Sequence, residues 1–161
     1  MTVFKTFLFL ILIPGPLLLW APYRIALLYP GGQFYPGPFR YVALLPWLAG
    51  TGILLWSALD FALKGKGTPA PIDPPKVMVA EGLYRFVRNP MYLGVLLTLT
   101  GHVLWFQSLR LLIYIALLAV AFHLFVVFYE EPVLRRKFGD SYEDYCRRVS
   151  RWIPIVGRRN R

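Results

Sequence analysis

Four apolar blocks alternate with polar segments along the 161 residues. They run over roughly Phe4–Ala21, Tyr41–Leu63, Tyr92–Ser108 and Leu111–Tyr129. Each is near the ~20 residues that a hydrocarbon core of ~30 Å demands of a helix. The pattern predicts an all-α, multi-pass transmembrane bundle of about four spans. Pro14-Gly15-Pro16 falls inside the first block and predicts a kink or break there. The third and fourth blocks are nearly contiguous, so they predict a tight helical hairpin turning at Gln107-Ser108-Leu109-Arg110. Pro132 is expected to end the fourth span. Beyond it, a short amphipathic helix over Val133–Phe138 is capped by Gly139, and a second helix starts at Asp140 or Ser141 and runs to about Val149.

The connections differ in character. "YPGGQFYPGPF", Tyr29–Phe39, is rich in Pro, Gly and aromatics and predicts an interfacial loop. "KGKGTPAPIDPPK", Lys64–Lys76, predicts an extended connector. The chain reads as one integral-membrane domain over residues 1–161. It comprises an N-terminal helix and loop (1–40), a transmembrane core (41–132) and a helical cytoplasmic tail (133–161).

Composition supports the membrane class: 57% of residues are hydrophobic and the mean hydropathy is +0.52. The N-terminal apolar run lacks a small-x-small cleavage site and reads as a retained helix. A net charge of +10 would suggest nucleic acid in a soluble protein. Here it is explained by basic loops flanking the membrane, and no nucleic-acid partner is expected. With four spans, fifteen Lys and Arg collect on one side and three on the other. The positive-inside rule then places both termini and the Lys64–Arg88 segment in the cytoplasm of an inner cell membrane. One Cys and two His argue against a metal site.

Two motifs meet on that side. "GLYRFVRNPMYLG", Gly82–Gly94, places Arg85 and Arg88 just before a helix start whose first turn holds Pro90. Two arginines beside the free N–H groups of a helix N-terminus form an anion site. "YEEP" sets Glu130 and Glu131 at the end of the fourth span. Adjacent carboxylates cannot share one helix face, so at least one turns into the bundle. There it needs a cationic ligand, Arg85 or Arg88 to compensate it. The alternative is that both simply mark the water boundary. A ligand carrying both an anionic and a cationic group, such as an amino-acid head group, suits the combination.

Other polar residues in the spans have two readings each. His102 and His123 are either a general base or donor, or packing histidines bonded to nearby backbone. Gly50 and Gly52 either let helices approach closely or leave room for a ligand. Tyr142, Tyr145 and Trp152, interleaved with Arg147, Arg148 and Arg151, form either an interfacial belt or a lid over the site.

The paired motifs "GLYRFVRNPMYLG … EEPVLRRKFGDSYEDYCRRV" resemble the integral-membrane methyltransferases, namely the isoprenylcysteine carboxyl methyltransferase family and the phospholipid N-methyltransferases, in their small bacterial branch. The resemblance covers about Gly50 to Pro154. It implies S-adenosyl-L-methionine as methyl donor at the cytosolic face, with a lipid or lipophilic acceptor entering from the bilayer. By motif match, Tyr84, Arg88, Asn89, Pro90, Tyr92 and Gly94 would line the cofactor site. Glu130 and Glu131 would be its acidic pair, Gly50 and Gly52 its Gly-x-Gly element, and Tyr142 and Tyr145 the tail that closes over it. Arg88, Glu131 and His123 are the catalytic candidates, His123 or a glutamate serving as base for an amine acceptor. Asn89 stands where the isoprenylcysteine enzymes commonly carry His, which leans toward the phospholipid pattern or the bacterial branch. The motifs name no acceptor and no oligomeric state. Two competing classes are an intramembrane NADPH-dependent reductase of the sterol-reductase type and a non-enzymatic membrane scaffold.

Overall fold

The computed structural model describes residues 2–28, 38–65 and 77–154. The expected Pro/Gly/aromatic loop and the Pro-rich connector fall largely outside these residues. Among the described residues the architecture is all helical. Three helical stretches, Phe4–Leu28, Arg40–Lys64 and Leu109–Phe138, are long and apolar enough to cross a membrane, and a shorter apolar helix covers Pro90–Phe106. The chain is a multi-pass membrane protein.

Its elements are α1 (Thr2–Leu12), α2 (Ala21–Leu28), α3 (Leu44–Lys64), α4 (Pro90–Phe106), α5 (Leu109–Phe125), α6 (Glu131–Phe138) and α7 (Asp140–Arg148). The first span is interrupted after Leu12, as the Pro-Gly-Pro triplet predicts, but it runs on to Leu28, beyond the expected Ala21. A π-helical turn over Pro16–Trp20 joins α1 to α2, and a second over Val126–Glu130 joins α5 to α6. Both turns stand two residues ahead of a proline. The Ala21 amide bonds back to Pro16 O and the Glu131 amide to Val126 O, one residue further than in an α-helix. Pro22 and Pro132 lack a donor and crowd the carbonyl four residues back. Widening the preceding turn absorbs that crowding without breaking the helix. The expected break at Pro132 is therefore corrected: the helix continues from α5 to Phe138.

α4 is the hub. It packs most extensively on α3 and also touches α5, α2 and the first π turn. Its buried face includes Val95, Thr98 and Leu99. Leu18, Leu54, Val95 and Leu99 form the central apolar cluster. The α3–α4 seam is set by glycines. A Cβ on Gly50 would lie 2.4 Å from the Thr98 amide nitrogen, and one on Gly94 would lie 2.7 Å from the Leu54 nitrogen. The hairpin turns at Gln107 in the left-handed region (φ 49°), and α5 begins at Leu109. Outward-facing Leu112, Ile113, Leu117, Val120 and Phe128 present α5 and the following turn to the bilayer, where exposed apolar surface is the stable choice.

The tail folds back on the start of α4. Tyr142, Tyr145 and Val149 form a small buried cluster with Met78, Leu134 and Phe138 packed against it. Ser150 then runs parallel to Val87, and the Arg88 amide donates to Ser150 O at 2.9 Å.

Candidate functional site

The site lies where the start of α4, the α5–α6 joint and the tail strap meet. Asn89 takes φ −124° and ψ 53° ahead of Pro90, the first residue of α4. The proline needs no donor at that position. Asn89 is buried, and its side-chain amide donates to Arg151 O at 3.2 Å. The Asn-Pro corner thus receives the tail as well as starting the helix.

Glu131 is the centre of an ion cluster. It is only 5% exposed. Arg151 grips it as a fork, Nε to Oε1 at 2.6 Å and a terminal nitrogen to Oε2 at 3.0 Å. Arg88 reaches Oε1 at 3.1 Å, and Arg135 approaches Oε2 at 3.9 Å. Arg135 also pairs with Glu143. The hydrogen bond to Glu131 raises the Arg151 guanidinium further above its ordinary value. Arg88 also donates to Cys146 Sγ, and its Nε is buried with no hydrogen-bond partner among the described residues.

Glu130 faces the other way. Tyr92 of α4 donates its phenolic hydrogen to Glu130 Oε2 at 2.9 Å. Among the described residues no guanidinium or ammonium pairs with Glu130. The two adjacent carboxylates therefore have opposite surroundings. A further cation brought near Glu131 would meet one negative and three positive charges. Each like charge at ~4 Å opposes it by about 4 kcal/mol at an effective dielectric of ~20. Glu130 presents no such barrier.

Tyrosines close the region from the tail side. Tyr145 donates to Tyr84 O at 2.6 Å, tying α7 to the Gly82–Arg85 turn. Burial raises the Tyr84 phenol well above its ordinary value, and Glu130, Tyr145 and Asp60 add to the effect. Burial likewise raises the Tyr142 and Tyr145 phenols. All three stay protonated hydrogen-bond donors at physiological pH.

Several sequence-derived residues lie apart from this centre. Arg85 does not join Arg88: it is exposed, with its guanidinium 4.6 Å from the Phe86 ring. Arg85 lies on the exposed side of its turn while Tyr84 fills the buried side, so the expected arginine pair is corrected to Arg88 with Arg151. Gly50 and Gly94 lie in the α3–α4 seam, and Gly52 faces open space. His102 bonds its Nδ1 to Thr98 O at 3.0 Å, toward the far end of α4. His123 is exposed on α5 and accepts a hydrogen bond from Trp152 Nε1 at 3.1 Å. Trp152 also packs edge-on to Tyr92, which in turn lies against Phe122.

The sequence leaves Arg151 and Trp152 between an interfacial belt and a lid; in the structure Arg151 O accepts from Asn89 and the Trp152 ring lies against Tyr92. One further residue is passed over by sequence reasoning. Asp60, near the end of α3, is buried. Its Oδ1 pairs with Lys64 at 3.0 Å, while Oδ2 has no hydrogen-bond partner and presses on Gly82. Gly82 has φ +59°, and a Cβ there would lie 2.1 Å from Oδ2. An Asp one turn before a Lys at a helix end is the only sequence signal Asp60 leaves, and it reads equally as a solvated pair.

Comparison with known proteins bears on the family of the chain. The sequence profile of the family described as phospholipid methyltransferase matches residues 38–141. A protein-S-isoprenylcysteine O-methyltransferase of Schizosaccharomyces pombe is 30% identical over 80 residues, 50% of this chain and 34% of that protein. Protein-S-isoprenylcysteine O-methyltransferase B of Arabidopsis thaliana is 30% identical over 86 residues, 49% of this chain and 40% of that protein. Methanethiol S-methyltransferase 2 of Bradyrhizobium diazoefficiens is 35% identical over 86 residues, 49% of this chain and 29% of that protein. The match spans well under half the length of each of these curated relatives. The profile match is more extensive. It covers more than half of the chain and includes both the Arg88-Asn89-Pro90 corner and the Glu130-Glu131 pair, so the chain belongs to the phospholipid methyltransferase family.

Proposed function

We propose that the protein transfers a methyl group from S-adenosylmethionine to a lipophilic, membrane-borne acceptor at the cytosolic face, with both termini on that side. One observation carries the reading: Arg88, with an unpartnered Nε, and Glu130, with no cationic partner among the described residues, stand at one end of the bundle under one tail. The donor set suits the cofactor. Its amino-acid portion bears a carboxylate for arginine and an ammonium for a carboxylate. The sulfonium, when bound, supplies an electrophilic methyl group whose transfer leaves a neutral thioether.

The reaction is an in-line displacement. The acceptor's lone pair forms the new bond to carbon as the carbon–sulfur pair returns to sulfur. Alignment then supplies much of the rate, up to ~7–11 kcal/mol in favourable cases. This chain contributes it through rigid seating: Asn89 and Arg151 lock the tail, Tyr145 locks the Gly82–Arg85 turn, and Tyr92 holds Glu130. The buried Tyr142–Val149 cluster keeps water from that side. A thiolate or carboxylate acceptor needs no base. An amine acceptor must lose a proton, and with Glu130 committed to the cofactor's ammonium the candidate to take it is His123. The relatives' names divide between oxygen and sulfur acceptors, and the acceptor we propose is accordingly a class, a lipophilic nucleophile. The cytosolic assignment is supported by Lys64, Arg88, Arg135 and Arg151 gathering at this end.

Calorimetric titration of detergent-purified protein with S-adenosylhomocysteine tests this, with NADPH as the parallel ligand. Micromolar binding of the former and none of the latter is expected. Folded protein that binds NADPH and not S-adenosylhomocysteine would sink the proposal.

A further inference from the structure

We infer that the adjacent glutamates have opposite tasks: Glu131 is an internal counter-ion that assembles Arg88, Arg135 and Arg151 into an anion seat, and Glu130 is the carboxylate offered to the ligand's cationic group. This divides a pair that the family resemblance treats as one acidic element, and it rests on the cofactor assignment above.

The division follows from charge and access. Both oxygens of Glu131 are in use: Oε1 by Arg88 and Arg151, Oε2 by Arg151 and Arg135. The residue is buried, so its charge is committed to these partners. Three guanidiniums on one carboxylate leave a positive excess, only part of which Glu143 offsets through Arg135. That excess repels an ammonium or sulfonium and attracts a carboxylate. The buried, unpartnered Arg88 Nε is a donor such a carboxylate can satisfy.

Glu130 has the complementary environment. Among the described residues its side chain has one hydrogen bond, from Tyr92, which uses one lone-pair site of one oxygen. A carboxylate accepts at about four such sites. Neighbouring side chains on a helix point about 100° apart, and at the end of the π turn the two diverge, Glu130 to Tyr92 of α4 and Glu131 to Arg151 of the tail.

The tail is part of the seat. Arg151 reaches Glu131 from a tail segment held at Val87–Asn89 by the Val87–Ser150 bridge, the Arg88 amide on Ser150 O and the Asn89 side chain on Arg151 O. Glu131 therefore couples tail docking to carboxylate recognition, while Glu130 does neither.

The test compares Glu130→Gln with Glu131→Gln in detergent, using two ligands. One is S-adenosylhomocysteine. The other is its decarboxylated analogue, which keeps the ammonium and lacks the carboxylate. Tail docking is read separately, by the rate of tryptic cleavage within residues 147–151. For Glu130→Gln, tail protection is unchanged and both ligands weaken by a similar factor of ~10 or more, the size of a lost charge-assisted hydrogen bond. For Glu131→Gln, tail cleavage accelerates and the preference for the carboxylate-bearing ligand disappears. If Glu131→Gln fails to fold, Arg151→Gln gives the same two readouts with the same expectation. Two outcomes overturn the inference: unaltered binding in Glu130→Gln, or, in Glu131→Gln or Arg151→Gln, a protected tail with the carboxylate preference intact. Wild-type protein that binds neither ligand would instead refute the cofactor assignment.

Discussion

The α3–α4 seam and the tail–α4 junction solve the same problem, fixing one element against another, by different physics. In the seam, Gly50 and Gly94 remove side chains so that backbones meet directly, with the Thr98 hydroxyl closing on Gly94 O at 2.9 Å. Nothing there is charged. At the junction one buried carboxylate, Glu131, gathers guanidiniums from three parts of the chain. Lipid tails are as apolar as leucine, so a membrane seam gains from close packing and little from hydrophobicity. A junction at the membrane boundary has water on one side and can carry charge, provided the charge is compensated. The seam thus rests on packing that charge does not touch, and the junction rests on ion pairs.

Substitutions that strain one region and spare the other sharpen this contrast. Glu131→Gln has the largest expected effect: removing one member of a buried ion cluster typically costs ~3–5 kcal/mol, because the partners are left uncompensated. The check is thermal unfolding in detergent, and a melting temperature equal to wild type would show that the cluster does not hold the tail. Gly50→Ala comes next. Its new methyl would meet backbone atoms at 2.4 and 2.7 Å, and such overpacking costs ~1–3 kcal/mol. This loss should appear in stability with the tail's protease protection intact.

Tyr145→Phe removes the donor to Tyr84 O inside the buried tail cluster. An acceptor left without its bond costs ~1–3 kcal/mol when fully buried. The expected signature is faster proteolysis of the tail ahead of any loss of helix content by circular dichroism. Gly52→Ala is the mildest. The position is open, with nothing within 4 Å of an added Cβ. Helix propensity alone favours alanine there by up to ~1 kcal/mol. Unchanged or higher stability together with lost S-adenosylhomocysteine affinity would show that Gly52 faces the cofactor; unchanged affinity would confine the element's role to Gly50 and packing.

Much of the fold is legible in the sequence. The apolar blocks, the hairpin at Gln107–Leu109 and the Gly139 cap all rest on effects that act within a few residues. So does the interruption near Pro14. The behaviour at Pro132 is not legible there. A proline breaks a helix only if the preceding turn stays α-helical, and whether it widens depends on what packs around it. The candidate site is half legible. Arg88, Asn89, Tyr92 and the glutamates announce themselves as polar residues against apolar runs. Arg151 and Asp60 do not, because each sits among charges that read as ordinary solvated positions.

Residue order alone settles which segments are apolar enough for the membrane, which end of the bundle is basic and that two carboxylates stand there. Those follow from transfer free energies and local periodicity, which are summed over neighbours in the chain. Folding in three dimensions settles that Arg88 and Arg151, not Arg85, neutralise Glu131, and that Glu130 keeps Tyr92 for company. Charge pairing falls off with distance in space and is indifferent to distance along the chain. Which of eighteen basic residues reaches a given carboxylate is settled only when the tail folds back onto Asn89.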